Sequence, residues 1–442
     1  MPSDAKPGLG TLSTVSIGIG GMVGGGIFAV TGLAIEVTKG SAPFAFIIAG
    51  VIALLTSYSY LKLTLRYPGE GGTVDFLNRG FGGGVLTGAA NILLLLSYVV
   101  LLAVYAYAFG SYGARALGLG ASAFWIHALT SGVIIGLVLV NVFASKMVIR
   151  SENVFNIAKL ALLAVFIVAG LLTPMDWTRL GPEHAVTPIG MVAGAMLIFL
   201  NYEGFELIAN ASKDVENPGR SLPIAFIGGV LLVIVIYVAI VAVVIGHLSF
   251  AEVSASSDTA LSAAGDRILG PKGGLLIAVA ALLATSSAIN ATFYSTGRLT
   301  YIVAKTGELP RSLEREFRGE HFEGVLISAG LALIVANFVP LEAIATMGSA
   351  GFLLLFFAVN VAAFRLAAET GGRALISALA ALSTAIALVV LCVEVDENPA
   401  TRNHLWILAG MIGVSLAIEI VYRRLTGRKI RPPRPVTRPP GV

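Results

Sequence analysis

The chain has 442 residues, 56% of them hydrophobic and 12% charged, with a mean hydropathy of +0.88 and a net charge of +4. Soluble domains carry about 25% charged residues, so this composition excludes a soluble protein. The sequence pI near 9.1 then reports basic loops at a membrane surface rather than nucleic-acid binding. The single cysteine, Cys392, excludes an intrachain disulfide and a thiolate metal cluster.

A spanning helix needs about 20 apolar residues. Taken in order, twelve such runs are predicted, at 12–36, 42–62, 85–110, 124–144, 153–173, 188–211, 222–247, 274–304, 325–339, 341–364, 374–393 and 405–422. Lys6 leads into the first run without a small-residue cleavage site, so no cleavable signal peptide is expected. Alternate loops carry Arg66 and Arg79, Lys146 and Arg150, Lys213 and Arg220, Lys305 with Arg311, Arg315 and Arg318, Arg365 and Arg373, and a tail from Arg423 to Arg438. The opposite loops hold only Lys39, Arg115, Arg179, Arg267, Lys272 and Arg402. That bias predicts a multi-pass protein of the plasma membrane with both termini cytoplasmic. The external connection 248–272 contains Leu261, Ile268 and Leu269, which suggests a short amphipathic helix over the external mouth. The connection 305–323 reads as a solvated cytoplasmic loop that sets topology, and the Arg/Pro-rich tail 428–442 as disordered, with weak attraction to anionic lipid.

Two of the runs do not read as straight helices. The first contains IGIGGMVGGGIF, from Ile17 to Phe28, and each glycine costs roughly 1 kcal/mol relative to alanine in a helix interior. Unwound backbone at membrane depth is tolerated only where protein or a polar cavity satisfies it, and a ligand can supply those partners. The sixth run carries Asn201, Glu203, Gly204, Glu206 and Asn210, groups too costly to face lipid. Breaks in the first and sixth runs occupy corresponding places if five spans repeat the preceding five, and an odd repeat length forces inverted topology. The expected organisation is a cytoplasmic N-terminus 1–10, a first repeat 11–173, a second repeat 187–366, a peripheral pair 373–424 and a basic tail 425–442.

Four stretches carry a family resemblance. GGMVGGGIF is similar to the first-span break of the amino acid, polyamine and organocation transporter superfamily, and FLNYEGFELIANASKDVENPGRSLPIA resembles its sixth-span signature and the turn that follows. RYPGEGG, from Arg66 to Gly72, and STGRLTYIVAKTGELP, from Ser295 to Pro310, resemble its second-to-third loop and the end of its eighth span, all in family order. The resemblance implies an all-α integral membrane fold with the five-plus-five inverted repeat of the leucine transporters, broken helices 1 and 6, and peripheral spans 11 and 12.

A zwitterionic amino acid suits such a break, because one half-helix offers N–H groups and the other C=O groups. By resemblance, Gly25 and Gly26, beside Gly24, would hold the carboxylate, and the carbonyls of Met22, Leu200 and Glu203 the ammonium. The alternative for the glycines is close helix packing through small residues. Leu200 stands where relatives that take large or charged substrates often have an aromatic gate, which leaves occlusion to Tyr202, Phe199 or another span.

Lys159 lies about seven residues into the fifth run, roughly 10 Å deep at 1.5 Å per residue. It either snorkels to the cytoplasm or substitutes for a bound sodium ion beside the first break and the hydroxyls of Thr285, Ser286 and Ser287. Some sodium-independent, proton-coupled members resemble this chain in having lysine there. That implies an ammonium that bridges the carbonyls of Gly20 and Val23 and carries the transported proton. A fixed positive charge disfavours sodium at the same place. Glu206 is the other candidate proton carrier, or else a structural hydrogen-bond acceptor for the broken helix. The direction of the Glu203 side chain is not legible. His127, His184 and His247 read as interfacial, no spacing suggests a metal or other cofactor, and no nucleophile accompanies the buried charges.

The expected function is import of neutral L-amino acids of broad range, coupled to protons by alternating access. The partners implied are an amino acid, protons and the lipid bilayer, with no nucleic acid and no partner protein. An obligate exchanger of amino acids or polyamines is the rival within transport, and a non-transporting amino acid sensor the rival from another class.

Overall fold

The computed structural model describes residues 8–120, 122–314, 322–399 and 401–427, without the side chains of 142–153. The elements are α1 (Thr11–Met22), α2 (Gly26–Thr38), α3 (Ala42–Arg66), α4 (Thr73–Phe81), α5 (Val85–Ala116), α6 (Ala123–Leu172), α7 (Pro188–Leu197), α8 (Leu207–Asn210), α9 (Pro218–His247), α10 (Phe250–Ala255), α11 (Ala260–Leu269), α12 (Pro271–Thr306), α13 (Phe322–Phe338), α14 (Leu341–Arg365), α15 (Ala374–Glu397) and α16 (Asn403–Thr426). Local chemistry sets many of the ends. Thr187 accepts from the Gly190 N–H ahead of Pro188, and Ser249 with Glu252 forms a capping box for α10. Gly270 and Gly307, at φ +72° and +101°, bracket α12.

The chain is an all-α, multi-spanning membrane protein. Nine helices are long and apolar enough to cross a membrane, and two bent pairs raise the number to at most eleven among the described residues. Eleven of the twelve expected runs are thus accounted for. The twelfth is the ninth predicted run, α13, an apolar helix of 17 residues from the point where the described residues resume, at the short end of the roughly 17–25 that a span needs. A correction concerns the connection between the fourth and fifth runs. The 50 residues of α6 are helical throughout, because 144–153 contains neither glycine nor proline to stop the helix. Lys146 and Arg150 fall among the side chains outside the description, and Arg315, Arg318 and the tail 428–442 outside the described residues.

Two amphipathic pieces flank the bundle. The second-to-third connection, expected as a loop, contains α4, which buries Val74, Phe76 and Leu77. On the opposite side, 248–272 forms two short helices, α10 and α11, where one was expected. The centre of the bundle is α5, with 83% of its most apolar stretch buried, against 22% for α16. Such a difference places α5 between the broken helices and the rest, and α16 at the lipid edge.

Candidate functional site

The α1 helix stops at Met22 and α2 starts at Gly26, with a 45° bend between them. Beyond α7 the chain runs through a 3-10 turn, Phe199–Tyr202, an extended Glu203 and Gly204 at φ +114° before α8, a bend of 52°. The two breaks touch through their backbones. A Cβ on Gly204 would lie 2.6 Å from the Met22 nitrogen, and one on Gly21 would lie 2.9 Å from the Gly204 Cα. No side chain fits at that crossing, and the positive φ requires glycine at 204 independently. Side chains face the other glycines. A Cβ on Gly25 would lie 2.6 Å from Tyr105 Cδ1 and 2.8 Å from Thr285 Cγ2, one on Gly24 3.0 Å from Ala288 Cβ, and one on Gly26 would run into Asn201 Oδ1. Packing through small residues thus applies at each of these positions, whether or not a ligand approaches.

Hydrogen bonds fix the second break from four neighbouring helices. The Tyr237 hydroxyl of α9 lies 2.6 Å from the Met22 carbonyl and 3.0 Å from the Asn201 carbonyl, so one donor bridges both breaks. Ser349 of α14 accepts from the Leu200 N–H at 3.1 Å and donates to the Leu197 carbonyl at 3.0 Å. The Tyr202 hydroxyl donates to the Phe46 carbonyl at 2.7 Å, which turns this side chain toward α3. Glu206 accepts from the Gly204 N–H at 2.7 Å and from the Tyr98 hydroxyl at 3.1 Å. Among the described residues, neither amide atom of Asn201 and neither carboxylate oxygen of Glu203 has a hydrogen-bond partner, although both side chains are buried. Tyr237, Tyr98, Tyr105 and Ser349 were not singled out from the sequence. The one legible signal was Tyr237, a lone hydroxyl in the aliphatic run LLVIVIYVAIVAVV.

Lys159 is fully buried, and its ammonium donates to the Gly20 carbonyl at 2.9 Å. Its side chain does not snorkel to an interface. Gly20 belongs to the last turn of α1, where carbonyls have no intrahelical donor, and the lysine supplies one from α6. Asn156, one turn before Lys159, reaches Ser16 at 3.3 Å. Val23, in the break itself, and Thr285 and Ser287 of α12 are buried, and Ser286 is partly buried. The Thr285 hydroxyl donates to the Ala281 carbonyl at 2.7 Å, leaving its methyl against Gly25.

A cavity of about 930 Å³ runs from one surface of the bundle as far as Gly21 at the end of α1. Glu70, Lys213 and Arg298 line its mouth, and Gly21, Tyr98 and Leu207 its inner end. Glu70 pairs with Arg298 at 3.0 Å and with Lys213 at 3.7 Å, and Arg298 holds the carboxyl below its ordinary range. On the other surface, Ser257 donates to Glu36 at 3.2 Å and Tyr107 to Asp258 at 3.1 Å, so the turn Ser257–Thr259 lies directly on α2 and α5. The cavity thus reaches the crossing of the two breaks at Gly21, while on the other surface Ser257 and Asp258 sit over α2 and α5.

The sequence profile of amino acid permeases matches residues 9–417. An uncharacterized protein of Methanocaldococcus jannaschii is 34% identical over 417 residues, 94% of this chain and 95% of that protein. An inner membrane transport protein of Escherichia coli is 31% identical over 425 residues, 95% of this chain and 97% of that one. A methylthioribose transporter of Bacillus subtilis is 27% identical over 375 residues, 78% of each chain.

Proposed function

The chain is a membrane transport protein of the amino acid permease family and not a catalytic enzyme, and from that premise we propose that it imports neutral L-amino acids by alternating access, coupled to protons through Lys159. The observation that carries this reading is the pair of broken helices in backbone contact, with a buried lysine ammonium on the carbonyl of Gly20. The substrate carboxylate binds at the start of α2, at Gly24, Gly25 and Gly26, where the first N–H groups have no side-chain cap. The ammonium binds the carbonyls at the end of α1 and across the second break, at Met22, Leu200 and Glu203. Recognition through backbone ignores the substrate side chain, which supports a broad range.

Lys159 takes the place of a sodium ion. Its charged form holds α1 against α6, with Val23, Thr285, Ser286 and Ser287 around it, and loss of the proton releases α1. The proton thereby changes the relative stability of the two orientations of the broken helices, which only a differential interaction can do. Glu206 is tied to the broken helix at Gly204, which supports a structural acceptor role for it and leaves Lys159 as the carrier. With termini and basic loops in the cytoplasm of a plasma-membrane protein, the Glu70–Arg298 cavity is the cytoplasmic vestibule and this conformation faces inward. The five-plus-five inverted repeat, 11–173 and 187–366, remains the organisation we propose for these spans.

Purified protein in empty proteoliposomes should take up labelled L-alanine or L-leucine when the outside is acidified, with other neutral amino acids competing. Uptake only into preloaded vesicles would mark an exchanger, binding without uptake a sensor, and competition by dications alone would overturn the substrate class.

A further inference from the structure

The Asn201 side chain is 1% exposed, and neither its amide oxygen nor its amide nitrogen has a partner among the described residues. A buried amide left without hydrogen bonds costs free energy that a same-sized apolar side chain would not. Its position adds the second observation. The amide oxygen lies so close to the Cα of Gly26 that a Cβ there would run into it. Gly26 is the first residue of the 13-residue α2, and Gly25 before it brings no side-chain cap to the opening N–H groups. An anion-seeking helix start and an amide with no partner therefore face one another across the two breaks. The Asn201 backbone is held independently, since its carbonyl accepts from Tyr237, so the amide is free to turn while the break stays in place. A half-turn about the Cβ–Cγ bond exchanges Oδ1 for Nδ2 at no loss of protein hydrogen bonds, and presents an N–H donor where α2 begins.

We infer that the side-chain amide of Asn201 is a substrate-binding group that donates from Nδ2 to the α-carboxylate held at the start of α2. The inference rests on the amino acid reading of the site given above and adds a side chain to a recognition otherwise made by backbone. A carboxylate accepts several donors at once, and a donor from the second broken helix makes its binding depend on both breaks being in register. One helix start alone would hold the anion without sensing α7 and α8.

Asn201→Ala and Asn201→Leu in the full-length protein test this, with L-alanine as the probe and binding and thermal unfolding measured in parallel. Both variants should bind L-alanine at least about tenfold more weakly, a change of about 1.4 kcal/mol. Their unfolding temperatures without ligand should equal or exceed that of the wild type, since a partnerless amide has been removed. Asn201→Asp, which sets a carboxylate against the substrate's own, should bind more weakly still. Binding by both apolar variants within about twofold of wild type overturns the inference while the amino acid reading stands. Loss of affinity that only follows a fall in unfolding temperature, or failure of both variants to fold, also overturns it, because a binding amide is dispensable to folding. A wild-type protein that binds no amino acid removes the reading itself and this inference with it.

Discussion

The Lys159 ammonium lies 2.9 Å from the Gly20 carbonyl, at a fully buried point where α1 comes to its break. A charge taken out of water is costly unless paired, and here it is joined to α1, the first of the two helices whose breaks define the site. Replacing Lys159 by Ala leaves the Gly20 carbonyl without that donor, at a cost of about 1–3 kcal/mol. Lys159→Met keeps most of the volume and separates loss of charge from loss of packing. Both variants should take up L-alanine without responding to an imposed proton gradient and still bind it, since the substrate contacts are elsewhere. An unchanged pH profile of uptake in Lys159→Met would show that the proton is carried by another group.

Tyr237 and Tyr202 pack edge to face with ring centroids 5.3 Å apart, yet their hydroxyls serve different ends. The first bridges the carbonyls of Met22 and Asn201, and the second is bound to Phe46 on α3. Removal of either hydroxyl should destabilise the protein by about 1–3 kcal/mol, because a buried acceptor loses its donor. Affinity should separate them. Tyr237→Phe should weaken L-alanine binding about tenfold, near 1.4 kcal/mol, as the Met22 carbonyl that meets the ammonium loses the donor tying it to the second break. Tyr202→Phe should leave it nearly unchanged. Equal affinity in the two variants, measured by titration of purified protein, would show that the Tyr237 bridge is only structural.

The breaks themselves were legible because their cause is local. Six glycines between Gly18 and Gly26, and two glutamates beside Gly204, oppose a continuous apolar helix in the sequence itself. The depth of Lys159 was legible for the same reason, from its place in an apolar run. What faces each break was not legible, because Tyr237, Tyr98 and Ser349 come from spans distant in sequence and look like ordinary residues of their own helices. The same limit explains the glycines. Gly21 reads as a helix breaker, while its contact with the backbone of Gly204 is a property of two chain segments together. The helical connection within α6 was missed through its charges: Lys146, Arg150 and Glu152 suggest a loop, but a polar helix extending beyond lipid carries the same residues.

Gly204 meets Gly21 and Met22 at backbone distance and holds φ at +114°. An alanine there meets both objections at once. The conformation alone costs about 1–3 kcal/mol for a residue with a Cβ, and the two broken helices must separate to admit the methyl group. Gly204→Ala should lower the unfolding temperature sharply or prevent folding. Gly219, which has open space around its Cβ position, is the control, and Gly219→Ala should change stability by less than about 1 kcal/mol. A Gly204→Ala protein with wild-type unfolding in detergent would mean that the breaks do not touch as described.

Glu308 follows the end of α12, outside the span, and is buried against α5 and α16. Asn91 donates to both of its carboxylate oxygens, at 3.0 and 2.8 Å, and Thr306 to one at 3.0 Å, while Glu419 and Arg423 act on it from α16. Burial pushes the carboxyl from an ordinary 4.5 up to about 7, against the pull of the Asn91 and Thr306 hydrogen bonds. The folded protein therefore holds this proton more firmly than the unfolded chain does. By linkage, the resulting stability is fully present below about pH 4.5 and is lost as pH rises to about 7, a change on the order of 3 kcal/mol. Glu308→Gln removes the titration but keeps an oxygen to accept from Asn91. Thermal unfolding followed from pH 5 to 8 should show the wild type losing stability relative to this variant as pH rises, with the variant the more stable above pH 7. Parallel curves for the two proteins across that range would show that Glu308 does not exchange its proton there.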